Sequence, residues 1–366
     1  MNIPSYDITR SWDYNYDHGP NFKGPYPPPP KEAKWKFLGH KVISPLGVAA
    51  GPLPNAKWLI TYAKLGYGSL VQKTVRTSAH KSHPFPNIVQ VDVDGKLDLD
   101  VNKPLIGQPH INQPTSKLSI TNSFGNPCRD SKIWMAETRK TRRAIKNGQL
   151  FGVSVYGTQT ESMTVTELAN DYAKCAKLAK SSGAMFIEAN LACPNVKGSE
   201  NPDLYKSPHA VARIAQATKS AIGNMPLVLK IGYFDNLEDL TLVLKKALGY
   251  FEAVSAINTI PKRVVDQKGK EILPGRRLSG VCGYAIKPYG IKMVKKLTIV
   301  RRKLKAHFEI IGVGGVMSPQ DVLDYLSAGA NHVHCATAAM WNPLLAYDLE
   351  NFKSPLRFRP GKSKPG

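Results

Sequence analysis

From about residue 42 onward, short apolar runs recur at 47–50, 69–73, 151–156, 185–190, 227–231, 254–258, 309–313 and 332–336. Each is nearly continuous in apolar residues, as a parallel strand covered on both faces is. Helical patterns separate them. In "TVTELANDYAKCAKLAKSSG", Thr164 and Glu167 form a capping box and Gly183 ends the helix. Val165, Leu168, Ala169, Tyr172, Cys175, Ala176 and Ala179 make one apolar stripe, so Cys175 reads as a packing thiol. "SPQDVLDYLSAG" offers Ser318 as N-cap, Pro319 in the first turn and Gly329 past the end. Alternating units of this number predict an α/β fold, a (β/α)8 TIM barrel.

Other stretches lack this pattern. Residues 1–36 are polar, aromatic and proline-rich, and "GPYPPPPKEAK" predicts polyproline II, so this segment reads as an N-terminal arm outside the core. The barrel is expected over 37–349, with a basic tail at 350–366. Residues 77–130 form a polar excursion over the barrel mouth, in which "VQVDVDGKLDLD" reads as a hairpin.

Composition narrows the class. The chain has 366 residues, 42% of them hydrophobic, enough for a sizeable core. No run reaches the roughly 18 apolar residues of a membrane-spanning helix. The N-terminus has no apolar h-region and carries several Asp, which argues against a targeting peptide and for a cytoplasmic location. Five cysteines without CxxC spacing suggest neither a disulfide framework nor a metal site. The net charge of +23 attracts anions of any size, and a solvated basic surface explains it equally well.

In a barrel of this kind the chemistry lies at the C-terminal strand ends. Those ends carry Lys73, Asn190, Lys230, Asn258 with Thr259, Gly314 with Gly315, and Thr337. The loops after strands seven and eight commonly bind phosphate, and Gly280 and Gly283 in "SGVCGYAIKP" add two more glycines. A single phosphate site without a GxGxxG fingerprint points to FMN rather than FAD. An inward lysine needs either a carboxylate partner or an anionic ligand, and few acidic residues end the neighbouring strands. A lysine beside a flavin stabilises the charge that reduction brings. Cys193 lies in the loop after strand four, near both lysines, where its thiolate is favoured. Asn190 and Asn195 flank it with donors and acceptors suited to a ring bearing imide and carboxylate groups. The plainer alternative is that Cys193 is a small buried residue.

These motifs resemble dihydroorotate dehydrogenases, in particular the soluble class 1 enzymes. "SPLGVAAG", "VQKTVRT", "TNSFGNP", "EANLACPNVKG", "LVLKIGY", "AINT", "SGVCGYAIKP", "IIGVGGV" and "HVHCATA" fall in the family's order over roughly 40–345. The resemblance implies that Cys193 takes a proton from C5 of dihydroorotate while C6 gives hydride to FMN. It implies a small anionic pyrimidine substrate held by Lys73, Asn122, Ser123, Phe124, Gly125, Asn190, Asn195, Asn258 and Thr259. It places Ala50, Gly51, Lys73, Thr74, Lys230, Asn258, Gly280, Gly283, Gly314, Gly315, Ala336 and Thr337 against the flavin, Lys73 also being counted among the catalytic groups. A homodimer and an iron–sulfur/FAD electron-transfer subunit are the partners it implies, with neither membrane nor nucleic acid. Asn126 stands where the family usually has leucine, Ala192 where it has serine, and Ala336 where it has glycine. A dihydropyrimidine (dihydrouracil) dehydrogenase-like reductase is a second enzyme reading. A tRNA dihydrouridine synthase would need an RNA-binding domain after the barrel, and the chain has only a short tail there. A flavin-binding barrel that holds RNA or another acidic partner is the non-enzyme alternative.

Overall fold

A computed structural model of the chain describes residues 4–28, 30, 32–192 and 203–353. Eight parallel strands close into a barrel: β1 Leu46–Val48, β2 Ser69–Val75, β3 Leu150–Val155, β4 Phe186–Asn190, β5 Leu227–Ile231, β6 Ala253–Ala256, β7 Glu309–Val313 and β8 His332–Cys335. They pair in chain order, and β8 closes on β1 through Val333 opposite Leu46. All eight expected strands are present, with ends displaced by a residue or two. The largest difference is at β2, which runs past Lys73 to Val75 with a register slip between Gln72 and Val75. Such an irregularity re-aims side chains at a strand end.

The helices form because each buries one stripe against the barrel. Thr164 and Glu167 make the capping box of Val165–Ser181, whose Leu168, Ala169, Tyr172, Cys175, Ala176 and Ala179 are buried. Ser318 caps Pro319–Ser327 with Asp321 reciprocating.

The barrel is closed at its N-terminal end by an antiparallel pair, Trp35–Phe37 with His40–Val42. Phe37, Leu38 and Val42 enter the lumen and pack with Val71, Phe186, Val228 and Ile311. At the other end lies a six-stranded sheet in the order Ile260–Lys262, Ser279–Gly283, Ser119–Asn122, Ile88–Val91, Leu105–Gln108, Val264–Val265. This corrects the expected hairpin. Ile88–Val91 pairs with Ser119–Asn122 and with Leu105–Gln108, while the intervening "DVDGKLDLD" is a loop that buries Leu97. The sheet needs a second excursion, the segment after β6, which supplies half of its strands.

The N-terminal segment also differs from the expected arm outside the core. Ser11 caps a helix at Trp12–His18. Tyr6 and Trp12 are buried, Trp58 donates its indole N–H to the Asn15 carbonyl, and the Ser5 amide reaches the Met340 carbonyl. Aromatic side chains dispersed along a proline-rich stretch have no period, so the pattern hides that they dock. No helix among the described residues is long and apolar enough to cross a membrane.

Candidate active site

The C-terminal strand ends and the overlying sheet enclose a cleft whose empty space, open to solvent, is about 1160 Å³. Lys73 and Thr74 reach it from β2, Asn190 from β4 and Lys230 from β5. Asn258 and Thr259 follow β6, Gly314 and Gly315 follow β7, and Ala336 and Thr337 follow β8. Ala50 and Gly51 line it from beyond β1, and Asn122, Phe124 and Gly283 from the sheet above.

Three further candidates support the walls. Ser123 is fully buried, with its hydroxyl 3.1 Å from His83 Nδ1. Gly125 has φ +75°, and a Cβ there would meet the His83 ring at 2.5 Å. The Gly280 carbonyl accepts from Asn122 Nδ2 at 3.3 Å. Cys193 and Asn195 lie outside the described residues. The chain just before them is anchored at the cleft: the Leu191 amide donates to the Lys230 carbonyl, and Asn258 Nδ2 donates to the Ala192 carbonyl.

The substrate-side amides interlock. Asn190 Oδ1 accepts from Asn258 Nδ2 and from the Ala192 amide, each at 3.4 Å, while Asn190 Nδ2 donates to Thr74 Oγ1 at 3.2 Å. Lys73 Nζ lies 5.2 Å from the centre of the Phe124 ring, a cation–π contact on the wall.

The glycine-lined end can take an anionic group. Gly314 and Gly315 have φ +118° and +68°, a left-handed backbone that glycine adopts without strain. A Cβ on Gly315 would strike the Lys287 backbone at 2.5 Å. Lys287 itself is engaged by Asp321 and Asp324, so a charge at this end is met chiefly by backbone dipoles. A Cβ on Gly51 would come into ordinary contact with the Ala336 Cβ, at 3.9 Å.

Glu188 is the main residue that the sequence reading missed. It is 1% exposed and lines the cleft from β4. Burial pushes its pKa up, opposed by Lys230 and by hydrogen bonds from Ser154 and Ser255. Burial pushes Lys230 down, and Glu188 opposes that. The carboxylate thought to be lacking is therefore present two residues before Asn190, on the same strand face; the period of two could have found it. Cys282, Asn126 and Tyr6 were also missed. Cys282 accepts from Asn122 Nδ2 and Thr337 Oγ1 at 3.4 Å each, and burial holds its thiol up at about 11. Asn126 is buried at φ +53° with Nδ2 unpartnered. Tyr6 carries no sequence signal, since it comes from the arm.

Comparison with known proteins adds an independent line. The family model described as dihydroorotate dehydrogenase matches residues 32–349. A relative named dihydroorotate dehydrogenase from Dictyostelium discoideum is 31% identical, over 96% of this chain and 98% of its own length. One from Maridesulfovibrio salexigens, named dihydroorotate dehydrogenase B (NAD(+)), catalytic subunit, is 30% identical over 86% of this chain and 89% of its length. A crystal structure from Eimeria tenella, a dihydroorotate dehydrogenase with ferulenol, shares the fold at TM-score 0.66 and 18% identity, covering 86% of this chain and 81% of that one.

Proposed function

The chain belongs to the dihydroorotate dehydrogenase family, and from that premise we propose that it oxidises dihydroorotate to orotate with FMN as first electron acceptor. The observation that carries this reading is the convergence of Lys73, Asn122, Asn190, Lys230 and Asn258 with two positive-φ glycines on one cleft. When bound, FMN would supply the hydride acceptor.

The chain's own groups divide the remaining work. The amides of Asn122, Asn190 and Asn258, with Asn195 of the same loop, would meet the imide and carboxylate of the substrate ring, as donors and acceptors at fixed angles do. Lys73 would offset the substrate's negative charge beside Phe124. Lys230 would offset the charge that reaches the cofactor ring, in a site where water is largely excluded. The Gly314–Gly315 turn and the start of Thr337–Trp341 would take the phosphate. Cys193 would remove the C5 proton as C6 gives up hydride, so the C5–C6 double bond forms and one proton and one hydride leave.

The test is anaerobic mixing of the purified, FMN-loaded protein with dihydroorotate or dihydrouracil, watching the flavin band. Bleaching by dihydroorotate, and far slower bleaching by dihydrouracil, is the expected outcome. The reverse preference would assign the site to a reductase of neutral pyrimidines. Protein that neither carries nor takes up FMN would overturn the cofactor.

A further inference from the structure

Glu188 is a carboxylate in the floor of the cleft that takes no part in the steps above. We propose that it is a positioning residue, tying the charge of Lys230 on the cofactor side to the orientation of the Asn190 amide on the substrate side. The proposal rests on the flavin and dihydroorotate reading of this cleft.

In its ionised form, which Lys230 favours, the Glu188 carboxylate only accepts. Ser154 stands opposite Glu188 in the strand register, and Ser154 and Ser255 both hold the carboxyl's pKa down, as hydroxyls that donate to it do. With its proton so committed, Ser154 can only accept from its other neighbour, Thr74 Oγ1 at 3.1 Å. Thr74 in turn accepts from Asn190 Nδ2 at 3.2 Å. On the other branch, Ser255 accepts from Lys230 Nζ at 3.3 Å. Every proton in the circuit points toward Glu188: from Asn190 through Thr74 and Ser154, and from Lys230 through Ser255. Four adjacent strands, β2 to β5, together with β6, supply these members.

Two consequences follow. The Asn190 amide has one allowed orientation, with Nδ2 toward Thr74 and Oδ1 toward Ala192 and Asn258. An amide that could flip would present donor and acceptor to the substrate interchangeably. Lys230, for its part, has a carboxylate that favours its charged form although it is 6% exposed. One feature separates this from an ion pair that merely stabilises the fold. Glu188 Oε2 is buried without a hydrogen-bond partner while its residue lines the cleft. A closed structural pair would satisfy both oxygens.

The experiment measures FMN uptake, the flavin midpoint potential and the orotate dissociation constant for wild type, Glu188→Gln, Glu188→Asp, Ser154→Ala and Ser255→Ala. Wild type that takes up no FMN would overturn the functional reading itself, independently of Glu188. With FMN bound, Glu188→Gln should raise the potential where Lys230 keeps its proton, because a negative charge near the reduced ring is lost, and lower it where Lys230 gives that proton up. The expected change is about tenfold in the reduction equilibrium, ~30 mV for a two-electron couple. It should also weaken orotate about tenfold, and Glu188→Asp should recover part of both. Ser255→Ala should shift the potential and leave orotate within twofold, whereas Ser154→Ala should do the opposite. If Glu188→Gln keeps both values within twofold of wild type, the proposal is wrong. If that variant fails to fold, the two serine variants decide: no branch-selective change in either would overturn it.

Discussion

The two ends of the barrel lumen are built from the same eight strands and differ in how they treat charge. At the floor, Phe37 and Phe186 stack edge to face at 5.9 Å among Val71, Val228 and Ile311. Two histidines are buried there, and both are neutral. Ser69 Oγ lies 2.7 Å from His332 Nε2 and 2.8 Å from His334 Nε2. One hydroxyl can donate to only one of them, so one ring carries its proton on Nε2 and the other on Nδ1. Burial holds His332 down at about 3 and His334 well below its ordinary value. At the mouth, by contrast, Lys73, Lys230 and Glu188 are buried polar groups, Lys230 Nζ donating to Ser255 Oγ and Lys73 Nζ lying over the Phe124 ring. The floor is sealed by an apolar plug. The mouth retains costly groups because a ligand would complete their environment.

The largest way to break this contrast is to open the floor. Phe37→Ala removes a fully buried ring that touches Phe186 and stacks on His332 at 4.1 Å. It should cost about 3–5 kcal/mol. Denaturant unfolding measures it, and reduction per folded molecule should stay near wild type. Next in size is the mouth: Lys230→Ala should slow flavin reduction on the order of a hundredfold, the scale of a lost charge-stabilising donor. Exposed Lys303→Ala serves as the comparison, and equal rates in the two would make Lys230 merely structural.

The third prediction concerns acid. The folded His332 refuses a proton that the unfolded chain accepts near its ordinary pKa of 6.5. Stability contributed by the neutral ring is therefore fully present above pH 6.5 and falls as pH drops toward about 3. Between pH 7.5 and pH 5 the loss from this one ring is about 2 kcal/mol. His332→Leu should flatten the acid limb of the stability curve by that amount, measured by urea unfolding at the two pH values. An unchanged slope would mean that the ring is protonated in the fold.

The barrel was legible because each strand is a local apolar run and each helix has its own caps. Asn190, Lys230, Asn258, Gly314 and Thr337 followed from one topological rule about strand ends. What could not be read was non-local. The sheet over the mouth pairs Ser119–Asn122 with Ser279–Gly283, segments about 160 residues apart, and no short-range pattern records such a pairing. Tyr6 enters the cleft because its arm crosses Met340, a contact between the two ends of the described chain. Glu188 was readable in principle, since it stands two residues before the last residue of β4 and shares its face. Ser123 and Gly125 share the motif of Asn122 and Phe124 yet serve the wall, since a loop turns its residues in different directions.

The central claim, that the charged mouth is a dihydroorotate-oxidising flavin site with Cys193 as its base, is tested most directly by anaerobic stopped-flow reduction. Wild type and Cys193→Ser would be mixed with dihydroorotate from pH 6 to 10. Orotate titrations would run alongside, and Cys175→Ser, which alters a fully buried thiol on a helix, would control for cysteine loss. The account predicts that wild type accelerates with pH to a plateau. Cys193→Ser should fall by roughly two decades at neutral pH with little change in orotate affinity. Reduction of Cys193→Ser at the wild-type rate at pH 7, or no reduction of wild type at all, would contradict it.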